Sequence, residues 1–230
     1  GFSYSAGFNL FDYKAVVTRY NNPEGMISNN HTGLAANKGY YEGMDLGEIW
    51  GYEADVLFTS GEEVDEYLED VDLSFFKPRS QWMVGDLKFK DSNGDGRVDP
   101  GKGTIDDHGD LKVIGNATPR FSFGINLSVG YKGLEIYTLL QGVAKRDFPM
   151  AGSTYLFGGR NYFTDHLDHF SHDNPSGWLP RLTDGTGKAD TDWRVNTGYN
   201  TSRYLLNAAY MRMKNLTVSY DFAATVLKNT

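Results

Sequence analysis

The stretch Phe121-Ser122-Phe123-Gly124-Ile125-Asn126-Leu127-Ser128-Val129-Gly130-Tyr131 alternates strictly between large apolar and small polar residues. A period of two places all the apolar side chains on one face of a β-strand and all the polar ones on the other. The chain repeats the pattern. Phe2, Tyr4, Ala6, Phe8 and Leu10 alternate with Ser3, Ser5, Gly7 and Asn9, and Leu216, Val218, Tyr220 and Phe222 alternate with Thr217, Ser219 and Asp221. The polar partners are mostly Ser, Gly and Asn, where a strand facing open water more often carries Lys, Glu, Arg and Thr. A run of about ten residues is enough to cross a bilayer as a tilted strand. A soluble sheet with one dry face satisfies the same periodicity.

The connections favour the bilayer. Tyr131-Lys132-Gly133 is a tight turn into Leu134–Gln141, so residues 119–143 read as a hairpin, and Phe11-Asp12-Tyr13 reads as a turn joining a first strand to a second at Lys14–Tyr20. Between these lie long segments rich in Gly, Asn, Asp and Thr. Short turns at one end and long loops at the other are the habit of outer membrane barrels. The expected fold is therefore an all-β, antiparallel transmembrane β-barrel. Its strands fall at about 1–20, 119–143 and 203–222, its extracellular loops at about 21–118 and 144–202. One helix is expected after Ser60, whose hydroxyl and Glu63 form a capping-box pair ahead of Val64, Tyr67 and Leu68.

Composition agrees. The 230 residues include 27 Gly, 15 Tyr, 14 Phe and no Cys, with a formal net charge of −8. The missing cysteines exclude disulfides and thiolate chemistry, and the acidic balance excludes nucleic acid as a partner. Mean hydropathy is −0.49, and no apolar run has the length of a transmembrane helix. A half-apolar strand is invisible to that average. Gly1-Phe2-Ser3-Tyr4 reads as the interior of a strand, so the chain is expected to be a fragment whose N-terminal part lies upstream.

Three groups of residues bear on chemistry. In Asp91-Ser92-Asn93-Gly94-Asp95-Gly96-Arg97-Val98-Asp99 the oxygen donors and the sixth-position Gly match a calcium loop, with Arg97 supplying its carbonyl. Lys102 stands where the bidentate Glu belongs, so Asp106 or Asp107 would have to complete the shell. The expected ligands are Asp91, Asn93, Asp95, Arg97, Asp99 and Asp107 around a structural Ca2+, and a self-satisfied Asx-turn loop is the alternative. His166, His169 and His172 are spaced for zinc, although a solvated loop explains them more simply. The aromatics Tyr40, Tyr41, Trp50, Tyr52, Trp178 and Trp193 could stack on sugar rings or pack the loops together. Of these, Trp50, Tyr52, Trp178 and Trp193 are the expected contacts to substrate or to a lid. No nucleophile elbow, phosphate loop or split carboxylate pair is present, so no enzyme activity is expected.

One run extends beyond the calcium-like loop. Val84-Gly85-Asp86-Leu87-Lys88-Phe89-Lys90 leads into Asp91, then come Asp106-Asp107 and Ile114-Gly115-Asn116-Ala117-Thr118-Pro119-Arg120-Phe121. This order resembles the SusC/RagA family of TonB-dependent transporters. Gly47-Glu48-Ile49-Trp50-Gly51-Tyr52, Asn174-Pro175 with Pro180-Arg181, and Tyr210–Leu216 look like the family too, in the same order. The resemblance implies a 22-stranded barrel with an internal plug. It also implies a SusD-like surface lipoprotein as lid, energy from TonB, and import of oligosaccharides or peptides through a Gram-negative outer membrane. On that comparison the plug and the final strands lie outside this chain. The competing expectation is a secreted, soluble β-rich carbohydrate-binding module stapled by calcium.

Overall fold

In a computed structural model, residues 1–27, 39–151, 163–182 and 194–222 are described. Their elements, in chain order, are β1 (Phe2–Phe11), β2 (Glu48–Gly51), β3 (Val56–Leu57), α1 (Gly61–Asp70), β4 (Leu87–Lys88), β5 (Lys112–Asn116), β6 (Arg120–Tyr131), β7 (Leu134–Lys145), β8 (Asp147–Pro149), β9 (Leu205–Asn207) and β10 (Tyr210–Tyr220). They fall into two compact units. The first holds residues 1–15, 117–147 and 207–230, the second residues 16–116 and 148–206.

The first unit is an antiparallel sheet in the order β1-β6-β7-β10. Its register joins the alternating patterns into one surface. Phe2 stands opposite Tyr131, Tyr4 opposite Val129, and Phe8 opposite Ile125. Leu134 then follows Tyr131, and Ile136 follows Val129. Directly opposed residues of an antiparallel pair share a face, so the apolar side chains of all four strands lie together. Nothing among the described residues covers them. Tyr4 is 77% exposed, Phe8 67% and Val218 61%. The other face carries hydrogen-bonded polar groups, with the Tyr137 hydroxyl donating to Asn126 Oδ1 at 3.0 Å and the Ser128 hydroxyl donating to Glu135 at 3.3 Å.

Lys132 and Gly133 both take positive φ, 48° and 86°. That is the conformation of a two-residue hairpin turn matched to strand twist, and Gly bears it without strain. In β10 the pairing with β7 shifts between Met213 and Asn215, leaving Lys214 as an extra residue. The bulge keeps Met211 and Met213 on the same side as Leu216, Val218 and Tyr220, since all five oppose even-numbered residues of β7. The sheet end opposite the Lys132-Gly133 turn is closed by a fork from Arg120 to Asp12, with Nε–Oδ1 at 2.5 Å and Nη2–Oδ2 at 2.6 Å.

Two expected strands change. The first strand ends at Phe11 and pairs with β6, and residues 14–20 do not form a second strand. Asp12 stops it, because its carboxylate is committed to Arg120 and to the Phe121 N–H. The last long strand begins at Tyr210 rather than 203, because Leu205–Asn207 belongs to the separate β8–β9 ribbon.

The segments expected as loops hold more structure than that reading implies. Residues 16–116 and 148–206 form the second unit, with a core of its own that includes Tyr52, Phe58, Leu73, Phe76, Trp82, Leu87, Phe89 and Leu179. The Phe76 and Phe89 rings stack at 4.1 Å, and Tyr52 meets Phe76 edge-on at 5.1 Å. Helix α1 covers one side by burying Val64 and Leu68. Ser60 Oγ accepts from the Glu63 N–H at 3.1 Å as expected, but Glu63 reaches back one residue further, to the Thr59 N–H at 2.8 Å. Short strands without clean alternation, set among Gly and Asp turns, hide such a core from a periodicity reading.

Candidate functional site

The run that carries the family resemblance sits at the centre of the second unit. Gly85 has φ 85°, and a Cβ there would lie 2.5 Å from the Phe170 ring and 2.9 Å from Arg181. Only Gly allows that approach. The next residue, Asp86, is fully buried. Its Oδ2 accepts from Lys77 Nζ at 2.6 Å and the Met83 N–H at 2.9 Å. Its Oδ1 accepts from Arg181 Nε at 2.7 Å and Asn196 Nδ2 at 2.9 Å. Lys77 also lies 4.5 Å over the Trp82 ring, and the Leu87 N–H donates to Asn196 Oδ1 at 2.7 Å. A buried carboxylate needs this much compensation. The Gly85-Asp86 and Pro180-Arg181 motifs, 95 residues apart, thus meet in one network. Lys77 and Asn196 complete it, and neither was found from sequence, since a lone Lys or Asn in a loop carries no signal of burial.

The Asp91–Asp99 loop is organised by its own backbone. Asp91 accepts from the Gly94 and Gly96 N–H groups at 2.6 and 2.8 Å, Asn93 Oδ1 from Asp95 N–H at 2.9 Å, and Asp95 Oδ1 from Arg97 N–H at 2.9 Å. Asp99 accepts from Gly101 N–H at 2.7 Å and pairs with the Arg97 guanidinium at 3.1 Å. Asp107 pairs with Lys102 at 3.3 Å. These are successive Asx-turns, in which the side-chain oxygens of Asp91, Asn93 and Asp95 each hold backbone N–H groups of the loop. Among the described residues no group of three His, Asp or Glu side chains gathers around a common point. Asp110 fastens the loop from beneath, accepting from the Ser92, Asn93 and Asp99 N–H groups. Burial pushes its pKa up, against those three donors. Beside the loop, Lys112 and Ser92 bind Glu53, and the Lys112 ammonium leads in holding its pKa down to about 2.

The histidines separate. His166 is buried, with Nδ1 accepting from the Phe163 N–H at 3.1 Å, His169 Nδ1 bonds the His166 carbonyl at 2.8 Å, and His172 is exposed. Of the aromatics expected to face substrate or lid, Trp50 and Tyr52 are core residues, 9% and 0% exposed. That corrects their assignment. Trp178 is half-buried and meets Tyr204 edge-on at 5.5 Å. Trp193 lies outside the described residues.

A concave surface does occur nearby. A cleft of about 940 Å³ is lined by Arg19, Tyr20, Glu24, Tyr41, Glu42 and Asp106, among others. Its floor is fixed by Asn22, whose amide donates to the Met26 and Tyr40 carbonyls at 2.8 and 3.0 Å and accepts from the Met26 N–H at 3.0 Å. The Tyr41 hydroxyl is bonded to Glu48, and burial leads in pushing its pKa up. Charged groups of both signs beside tyrosines suit a polar, hydrogen-bonding solute. In the sequence these residues fall at the start of the long segment expected as a loop at about 21–118, with nothing to indicate a recess.

Comparison with known proteins agrees with the motifs. No family model matches the chain. It is 25% identical over 197 residues to TonB-dependent receptor P3 of Formosa agariphila, covering 82% of this chain and 16% of that receptor. It is 26% identical over 156 residues to TonB-dependent receptor P26 of the same organism, covering 66% of this chain and 14% of that receptor. Among solved structures it resembles a chain of the RagAB peptide transporter, with a TM-score of 0.52 and 16% identity over 95% of this chain and 20% of that one. The chain therefore spans about a sixth of the length of the curated relatives it matches. The resemblance read from its motifs holds: its relatives are TonB-dependent receptors, and its mostly-strand fold is shared with RagAB.

Proposed function

We propose that this chain forms part of the wall and outer loops of a TonB-dependent transporter barrel in a Gram-negative outer membrane. The observation that carries the reading is the apolar face shared by β1, β6, β7 and β10, uncovered among the described residues. A ten-residue strand extends about 33 Å at about 3.3 Å per residue, and tilting by about 45° reduces this to about 23 Å, close to the apolar band of such barrels. The edges of β1 and β10 have no partner strand among the described residues, so further strands are needed to satisfy their backbone groups in lipid. Both long excursions leave the sheet at the end opposite the Lys132-Gly133 turn. In a barrel that is the extracellular end.

The finer reading is import of an oligosaccharide or peptide, with a SusD-like lipoprotein as partner and TonB as the source of energy. Its support is the motif order, the likeness to RagAB and the polar cleft beside Tyr20 and Tyr41. The chain's role is transport rather than catalysis. The soluble carbohydrate-binding module is disfavoured, because it would leave the same apolar face in water.

Brominated-lipid quenching tests the reading in the full-length protein. Tryptophan at Leu127 should be strongly quenched, and tryptophan at the neighbouring Asn126 should not. Equal, weak quenching at both positions would place the face against protein or water and end the barrel assignment.

A further inference from the structure

Asp86 joins two separate stretches of chain, and its two oxygens divide the work. Oδ2 binds Lys77 and the Met83 N–H, both in residues 16–116. Oδ1 binds Arg181 and Asn196, both in residues 148–206. We propose that Asp86 is a releasable latch, holding the arm Phe163–Leu182 against the first stretch through Arg181, and that this arm opens while the rest of the unit stays folded.

The charge arrangement allows this. One carboxylate faces two cations, and only one of them need stay. The Lys77 and Asp86 side chains are both fully buried, whereas that of Arg181 is 17% exposed. Water therefore reaches the network from the Arg181 side. When Arg181 leaves, its guanidinium becomes solvated, and Asp86 keeps Lys77, the Met83 N–H and the Asn196 amide. No isolated charge is left inside, which is the usual barrier to breaking a buried pair. Lys77 and Asp86 are nine residues apart, so their pairing survives without the arm.

The arm has structure that can move as a piece. The Phe170 N–H donates to the Leu179 carbonyl at 2.8 Å, and the Leu179 N–H to the Asp168 carbonyl at 3.0 Å. Against residues 16–116 it adds the bond from Arg181 N–H to the Gly85 carbonyl, at 3.0 Å, and the burial of Phe170 and Leu179 in the shared apolar core. Arg203 holds the Gly177 and Trp178 carbonyls at 3.0 and 2.9 Å, and reaches the Asp55 carbonyl at 2.6 Å. An opened arm thus stays tethered at its middle. The second stretch keeps its own fastening to the first, with Tyr52 N–H bonded to the Asn200 carbonyl at 2.9 Å and Ser202 N–H to the Tyr52 carbonyl at 3.1 Å. The inference is independent of the transport reading, and its test needs no substrate.

Amide hydrogen exchange on the full-length protein in detergent decides it. Arg181→Ala should lower the protection of the residue 181 amide, which donates to the Gly85 carbonyl, about tenfold or more, the loss of a charge-assisted hydrogen bond, with the Phe170 and Leu179 amides and α1 unchanged. Arg181→Lys should give a smaller loss of protection at the same amide. Lys77→Met should speed exchange in α1 and at residue 181 together. A second measurement uses the unaltered protein in graded denaturant, where the Arg181 amide should open in a lower-energy step than those of α1. The latch is overturned if Arg181→Ala leaves protection at residue 181 unchanged or loosens α1 equally. It is also overturned if arm and helix open in a single step in the unaltered protein.

Discussion

The two units solve the hydrophobic problem in opposite directions. The β1-β6-β7-β10 sheet turns its Phe, Tyr, Leu and Val outward and has no core of its own, and Val143 is the only one of its residues among the buried apolar side chains described. The second unit gathers Tyr52, Phe58, Phe76, Trp82 and Phe89 inward around a charged network. The first sheet turns its apolar side chains outward, whereas the second buries them as a water-soluble protein does. Opposite substitution patterns should follow from that difference.

The largest effect is expected in the core. Phe89→Ala removes a fully buried ring that stacks on Phe76 and should cost the second unit about 3–5 kcal/mol, read as a lower midpoint in denaturant. The sheet should be unaffected. Next comes a charge on the outward face: Leu127→Arg should cost about 2–4 kcal/mol if that residue lies near the bilayer midplane. Reduced outer membrane assembly of Leu127→Arg beside normal assembly of Ser128→Arg would sharpen the contrast between faces. Equal assembly of the two would break it.

Smaller effects probe the second unit alone. Ser60→Ala removes the α1 cap and should lower the unit's stability by about 1 kcal/mol, seen as faster exchange at Glu63 and Val64. Glu53 gives a pH signature. Its carboxyl sits near 2 when folded and at an ordinary 4.5 when unfolded, so its contribution is complete above pH 4.5 and fades as pH falls toward 2. The effect is modest because the side chain remains 31% exposed. Glu53→Gln should flatten the unit's melting temperature across that window. Finally, chelation should not shift the melting of this unit at all, since the Asp91 loop satisfies itself. A chelator-sensitive transition would restore a cation to it.

How much could be read in advance divides along the same boundary. Phe121–Tyr131 and Phe2–Leu10 announce their strands because a sheet with one apolar and one polar face imposes one simple alternation on consecutive residues. The Lys132-Gly133 turn is local and equally legible. The core of the second unit depends on contacts such as Asp86 with Arg181 and Leu87 with Asn196, 95 and 109 residues apart. No local period encodes those. Trp50 and Tyr52 could stack on a solute or pack the loops as far as local sequence tells, and Tyr52 is enclosed by Phe76, Phe89 and Tyr199. The Asp91 loop presented the composition of a cation site, and its geometry depended on Asp110, too far along the chain to be counted in the motif.

Lys214 sets the parity of β10. Before it the greasy positions carry odd numbers, Met211 and Met213, and after it even ones, Leu216, Val218 and Tyr220. Deleting that one residue would leave composition nearly untouched yet set the two halves of the strand against each other, half the oily side chains rotated inward. Sidedness here depends on counting.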